Sequence, residues 1–66
     1  MRIAGEEAMK WQAVRTDSLE TVNHGPLVSA DDETGNVVWK DRAGETRSVT
    51  LGPGAIRLAR AYRYGR

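Results

Sequence analysis

Asn36-Val37-Val38-Trp39-Lys40-Asp41-Arg42-Ala43-Gly44-Glu45-Thr46-Arg47-Ser48-Val49-Thr50-Leu51 is the stretch that decides the fold. Its opening residues are rich in branched and aromatic side chains, as strands are. Asp41 and Gly44 occupy the first and fourth positions of a type I turn. That is the pattern of a hairpin whose glycine takes the left-handed conformation and forms a bulge. If Asp41 lies opposite Glu45, Trp39 faces Arg47 and Val37 faces Val49. One face then carries Val37, Trp39, Val49 and Leu51, with the Arg47 stem lying over Trp39. The other carries Val38, Lys40, Thr46, Ser48 and Thr50. An apolar face backed by a mostly polar one is what a half-buried antiparallel sheet requires.

Upstream, Leu27-Val28-Ser29-Ala30 is a short extended run ended by Asp31-Asp32-Glu33-Thr34-Gly35. The turn logic repeats, giving a three-stranded meander from about Leu27 to Leu51. Asn23-His24-Gly25-Pro26 is a further turn. Before it, Trp11 to Arg15 and Leu19 to Val22 read as two more short strands. Residues 1–8 lack a clear pattern and are expected to fray, although Glu6 to Lys10 suits a helical turn.

The segment from Gly54 to Tyr64 has two readings. As a helix, Ala55, Leu58, Ala59 and Tyr62 share one face and Arg57, Arg60 and Arg63 recur on the other. Pro53 would then occupy the first turn and Gly65 would end it. As a strand, Ile56, Leu58, Tyr62 and Tyr64 alternate, but Arg60 falls on their face. Three alanines in seven residues favour the helix by propensity.

The fold class expected is therefore mainly β, a β-rich α+β domain. It is a small antiparallel meander or SH3-like barrel of four to five strands with a short C-terminal helix. Its core is expected to hold Trp11, Val14, Leu27, Val37, Trp39, Val49, Leu51, Leu58 and Tyr62. All 66 residues form a single domain. A chain this short buries a small share of its surface, and small domains lean on disulfides, a metal or a second copy. There is no cysteine and one histidine, which removes disulfides, thiolate metal sites and clusters of imidazoles. Homodimerisation remains open.

No apolar run approaches the roughly 18 residues of a spanning helix, so no membrane is expected as a partner. The first ten residues include Glu6 and Glu7 and no apolar segment, which does not read as a secretory signal. The expected setting is the cytoplasm of a bacterium, as a bacterial or phage protein.

Chemistry is sparse. His24 lies in a turn with no orienting partner in view, so it reads as a turn histidine rather than a general base. Asp31-Asp32-Glu33 lacks the spacing of a calcium loop, and neighbours on an extended chain point to opposite faces, so the run reads as a solvated hairpin tip. Ser18, Ser29 and Ser48 have no nucleophile-elbow context. Gly52-Pro53-Gly54 is not a phosphate-binding loop, because no Gly-Lys-Ser/Thr follows. No catalytic residue, cofactor or metal site is assigned.

Charge is the distinctive feature. Residues 1–34 carry three basic and seven acidic side chains, and residues 35–66 carry seven basic and two acidic. The expected partner-binding residues are Arg57, Arg60, Tyr62, Arg63, Tyr64 and Arg66. Arginine and tyrosine are enriched in protein hot spots, and the same pair can also hold phosphate and stack on bases. The functional expectation is a small non-enzymatic regulatory or inhibitory protein that binds a surface of a larger protein. The alternative is a nucleic-acid-binding module using the C-terminal arginines and tyrosines. The near-neutral chain, at net +1, is less basic than such modules usually are.

Overall fold

Asp41 organises the central hairpin as its position requires. In the computed structural model, which describes residues 1–61, the Gly44 N–H donates to the Asp41 carbonyl at 3.0 Å and closes the turn. The Asp41 N–H donates to the Glu45 carbonyl at 2.9 Å, and Gly44 sits at φ 81°. The turn joins β4 (Asn36–Lys40) to β5 (Thr46–Thr50). Trp39 lies opposite Arg47 and Val37 opposite Val49, the register set by the turn. Arg47 Nε donates to Asp41 Oδ2 at 2.8 Å, because the turn carboxylate offers a charged acceptor within reach.

β3 (Leu27–Asp31) pairs antiparallel with β4 and completes the meander. Its register shifts between Leu27 and Ser29. This bulge lets Leu27 and Ala30 both face inward although three positions separate them, and it leaves Val28 exposed. Residues 1–8 are ordered into elements rather than frayed. β1 (Arg2–Ala4) pairs with β3, setting Ile3 opposite Ala30, and α1 (Gly5–Ala8) follows. One inward side chain per strand leaves little periodicity to read, but burying Ile3 is enough to hold β1. The sheet order is β1-β3-β4-β5.

The described part of the segment expected to be a C-terminal helix contains a strand instead. β6 (Ile56–Arg60) pairs antiparallel with β2 (Trp11–Arg15), setting Leu58 opposite Ala13 and Arg60 opposite Trp11. Arg60 was the residue that argued against a strand, since it falls on the apolar face. Trp11 resolves that conflict: the guanidinium carbon lies 5.2 Å from the Trp11 ring centroid, where the π face attracts a cation. Trp11 in turn donates its indole N–H to Glu7 Oε2 at 3.1 Å, which with Lys10 nearby holds the Glu7 carboxyl below its usual range. Six strands are thus present among the described residues, against the four or five expected. The Leu19–Val22 segment forms no strand and makes one bridge, Thr21 to Val14.

Burial departs from the expected list in an instructive way. Among the described residues the buried hydrophobic ones are Ile3, Ala8, Ala13, Leu27, Ala30, Val37 and Ile56. Trp11, Trp39, Val49, Leu51 and Leu58 pack around them half-buried, and Val14 is half-exposed too. Tyr62 lies outside the described residues. Ala8, Ala13 and Ala30 come from α1, β2 and β3, which meet one another. Methyl groups let three backbones approach closely, and a longer side chain would push them apart. The tryptophans are too large for that space and flank it. The sheets, of four and two strands, do not close into a barrel, so the mainly β antiparallel class holds without a barrel. Among the described residues no helix is long and apolar enough to cross a membrane.

Two consequences follow for stability. Gly35 is buried at φ 79°, and a Cβ there would run into the backbone of Gly52. Gly44 has the same left-handed φ but open space around it. Gly35→Ala is expected to cost about 2–4 kcal/mol, strain plus overpacking, and Gly44→Ala only about 1–2 kcal/mol of strain. Chemical denaturation of both variants checks the order, and equal losses would contradict the close approach.

The second consequence concerns acid. The Arg47 guanidinium, with the Glu45 N–H, lowers the Asp41 carboxyl from its usual 3.8. Arg15 lowers Asp17 to about 2. A lowered folded-state pKa gives stabilisation that is complete above the ordinary carboxylate range and lost as pH falls through the folded value. Thermal melts from pH 6 to pH 2 should therefore show Asp41→Asn losing less stability on acidification than the wild type.

Candidate binding groove

The inward face of the β4–β5 hairpin is wider than the core it covers. Trp39 from β4, Val49 from β5 and Leu51 just beyond it reach past the alanine cluster and remain half-buried. Val22 comes toward them from the segment alongside β2. Between these side chains runs a groove of about 330 Å³, rimmed by Arg15, Glu20 and His24. His24 stands edge-on to Trp39, with ring centroids 6.3 Å apart and planes at 72°. That is a favourable aromatic geometry, and it gives the turn histidine a structural partner that the sequence did not reveal.

The groove wall is a built feature. The Val22 N–H donates to the Ala13 carbonyl at 2.8 Å and the Arg15 N–H to the Glu20 carbonyl at 2.8 Å. Asn23 completes the join: its Oδ1 accepts from the Ala13 N–H at 2.9 Å and its Nδ2 donates to the Gly25 carbonyl at 2.8 Å. The outer side of β2 is therefore occupied by residues 20–23. Arg15 grips Asp17 through two hydrogen bonds, Nε to Oδ1 at 3.1 Å and a terminal nitrogen to Oδ2 at 3.0 Å.

Leu19 sits at the tip of this wall. Its N–H donates to the Arg15 carbonyl at 2.9 Å, which closes the loop and holds Leu19 at φ 63°. It is the one described non-glycine residue with positive φ. For an L residue with a branched side chain that conformation costs about 1–2 kcal/mol. The side chain it carries is 69% exposed. A glycine or asparagine would relieve the strain, so the loop holds an apolar side chain in water at a cost. Such strain concentrates where a chain binds something. Neither Leu19 nor Val22 was legible as a site residue, since Asp17-Ser18-Leu19-Glu20 contains no glycine to mark a left-handed turn.

The sequence-expected site is placed differently. Arg57 and Arg60 are both exposed, but they stand three apart on a strand and so project from opposite faces. Arg60 lies on the Trp11 ring, and Arg57 is on the outer face opposite Val14. Tyr62, Arg63, Tyr64 and Arg66 lie outside the described residues. The acidic run is engaged locally: Asp31 Oδ1 accepts from the Glu33 N–H at 2.9 Å. Asp32 Oδ1 accepts from the Met1 ammonium at 2.6 Å, and this bond raises the ammonium pKa. A second hollow of about 430 Å³ opens between Met9, Trp11, Asn23, Pro26 and Ala61. It borders the end of the described chain.

Comparison with protein-family models, curated proteins and solved structures gives no match at a significant level, so the groove is interpreted from its own geometry.

Proposed function

We propose that the chain is a non-enzymatic regulatory or inhibitory protein that binds a surface of a larger protein, and that the groove beside Trp39 is where it does so. The observation that carries this reading is the apolar floor of Val22, Trp39, Val49 and Leu51, left open between two walls fixed by backbone hydrogen bonds. Its volume is at the bottom of the range of small-molecule pockets, roughly 300–1,000 Å³. An open trough of that size suits an apolar side chain presented by another protein. Tryptophan and arginine are residues from which interface hot spots are built, and here Trp39 and Arg15 border one trough. Leu19, exposed next to the rim residue Glu20, supplies a reciprocal anchor for a pocket on the partner.

Among the described residues the two arginines of the nucleic-acid alternative, Arg57 and Arg60, stand on opposite faces of a strand rather than side by side, which supports the protein-binding reading over it.

The test is affinity capture from the source cell, with and without nuclease, followed by titration of the purified partner. Val49→Glu places a charge on the groove floor and is expected to weaken binding at least about tenfold, or 1.4 kcal/mol, with the circular dichroism spectrum unchanged. Leu19→Asn tolerates the left-handed backbone and is expected to raise stability by up to about 1 kcal/mol while weakening the same complex. Binding that survives Val49→Glu but is abolished by nuclease or by Arg57→Ala would contradict the proposal.

A further inference from the structure

β5 is an edge strand of the four-stranded sheet, and its outward groups follow from its pairing. The Asp41 N–H donates to Glu45 and the Leu51 N–H donates to Gly35, while Val37 lies opposite Val49 and Trp39 opposite Arg47. Antiparallel ladders alternate, so Arg47 and Val49 spend their N–H and carbonyl groups on β4. Those of Thr46, Ser48 and Thr50 point away from the sheet. Among the described residues no strand pairs with that side.

Edge strands are ordinarily blunted by brevity, lysine, proline or a bulge. β1, at the other edge, is three residues long. The β2–β6 ribbon has its β2 side covered by residues 20–23, and β6 carries Arg57 and Arg60. β5 carries the least protection of these edges. It is five residues long, keeps regular register with β4, and has one charged side chain, Arg47, already held by Asp41.

The sequence of the strand selects what can pair with it. Thr46-Arg47-Ser48-Val49-Thr50 is nearly symmetric about Ser48. When the strand meets itself antiparallel with Ser48 on a two-fold axis, Ser48 faces Ser48 of the second copy and Thr46 faces its Thr50. Arg47 faces its Val49, so no like charges stand directly opposite, and hydroxyl pairs of this kind stabilise sheets. All three outward residues then find backbone partners. The axis runs perpendicular to the sheet, so both grooves open on the same side of one continuous eight-stranded sheet. A second copy also answers the thin core, which among the described residues holds seven buried hydrophobic side chains, three of them alanines.

We propose that β5 is a homodimerisation edge, pairing antiparallel with β5 of a second copy about Ser48. Val49 belongs both to this strand and to the groove floor, whereas the Ser48 side chain lies on the polar face of the hairpin, so substitution at Ser48 tests the edge while leaving the groove lining unchanged.

The experiment measures mass by analytical ultracentrifugation across a concentration series of the full chain. Ser48→Lys and Ser48→Glu each place like charges face to face on the axis, at an exposed position on the polar face of the hairpin. Each variant alone is expected to lose at least about tenfold in dimer affinity while keeping the wild-type circular dichroism spectrum and melting midpoint when monomeric. Mixing the two in equal amounts is expected to restore the dimer, since opposite charges then meet. A wild-type chain that stays monomeric to millimolar concentration would overturn the proposal, and so would a dimer indifferent to both substitutions or a mixture that does not re-associate. Retention of an extended peptide on the edge of a monomeric wild type would assign β5 to a foreign strand and likewise overturn it.

Discussion

Both oxygens of the Asp41 carboxylate are engaged: Oδ1 accepts from the Glu45 N–H at 2.9 Å and Oδ2 from Arg47 Nε at 2.8 Å. Its backbone N–H and carbonyl bond to Glu45 and Gly44. Together these contacts admit one register between β4 and β5. A slip of β5 by one residue would keep Trp39 inward but turn Val49 outward and bring Ser48 into the interior. Because β3 pairs with β4 and β1 with β3, the placement of Leu27, Ala30 and Ile3 follows from the same turn. The groove floor follows too, since Trp39 and Val49 share a face only in this register.

The turn is exposed and made of charged groups, so its energetic weight is modest. Its importance is as a constraint. Packing supplies the stability, and the packing is tight where the alanines of α1, β2 and β3 meet and where Gly35 touches the Gly52 backbone. The consequence for function is direct. A core built on methyl groups cannot take in the two tryptophans, so both remain half-exposed at its margins. Trp11 is capped by Arg60 and bonded to Glu7. Trp39 has His24 on one edge and open groove beside it. Both border open space, Trp11 the second hollow and Trp39 the groove, but Trp39 is the one set among Val22, Val49 and Leu51.

The meander was legible because Asp41, Gly44 and the alternation on either side all demand the same hairpin, and local and global preferences agree there. The C-terminal strand was not. Ala55, Ala59 and Ala61 favour a helix intrinsically, and Arg60 looked misplaced on an apolar face. Only the position of Trp11, 49 residues away in sequence, makes that face suitable for an arginine. β1 was missed because its contribution is one side chain, Ile3. Burial was misjudged for a related reason: size and hydrophobicity favour tryptophan as the core residue, but the spacing of the backbones decides, and it admitted alanine. The placement of Arg57 and Arg60 was not legible for the same cause: arginines three apart converge on a helix and diverge on a strand, and a strained leucine leaves no mark in the sequence.

The two tryptophans make the central claim measurable in one experiment, because each reports on a different surface. Their indole N–H resonances can be followed by ¹H–¹⁵N NMR as the captured partner is titrated into labelled protein. The account predicts that the Trp39 indole shifts or broadens in step with binding while the Trp11 indole, beside Arg60, stays in place. Movement of Trp11 with Trp39 unchanged would put the binding surface at the arginine end of the β2–β6 ribbon and contradict the assignment of the groove.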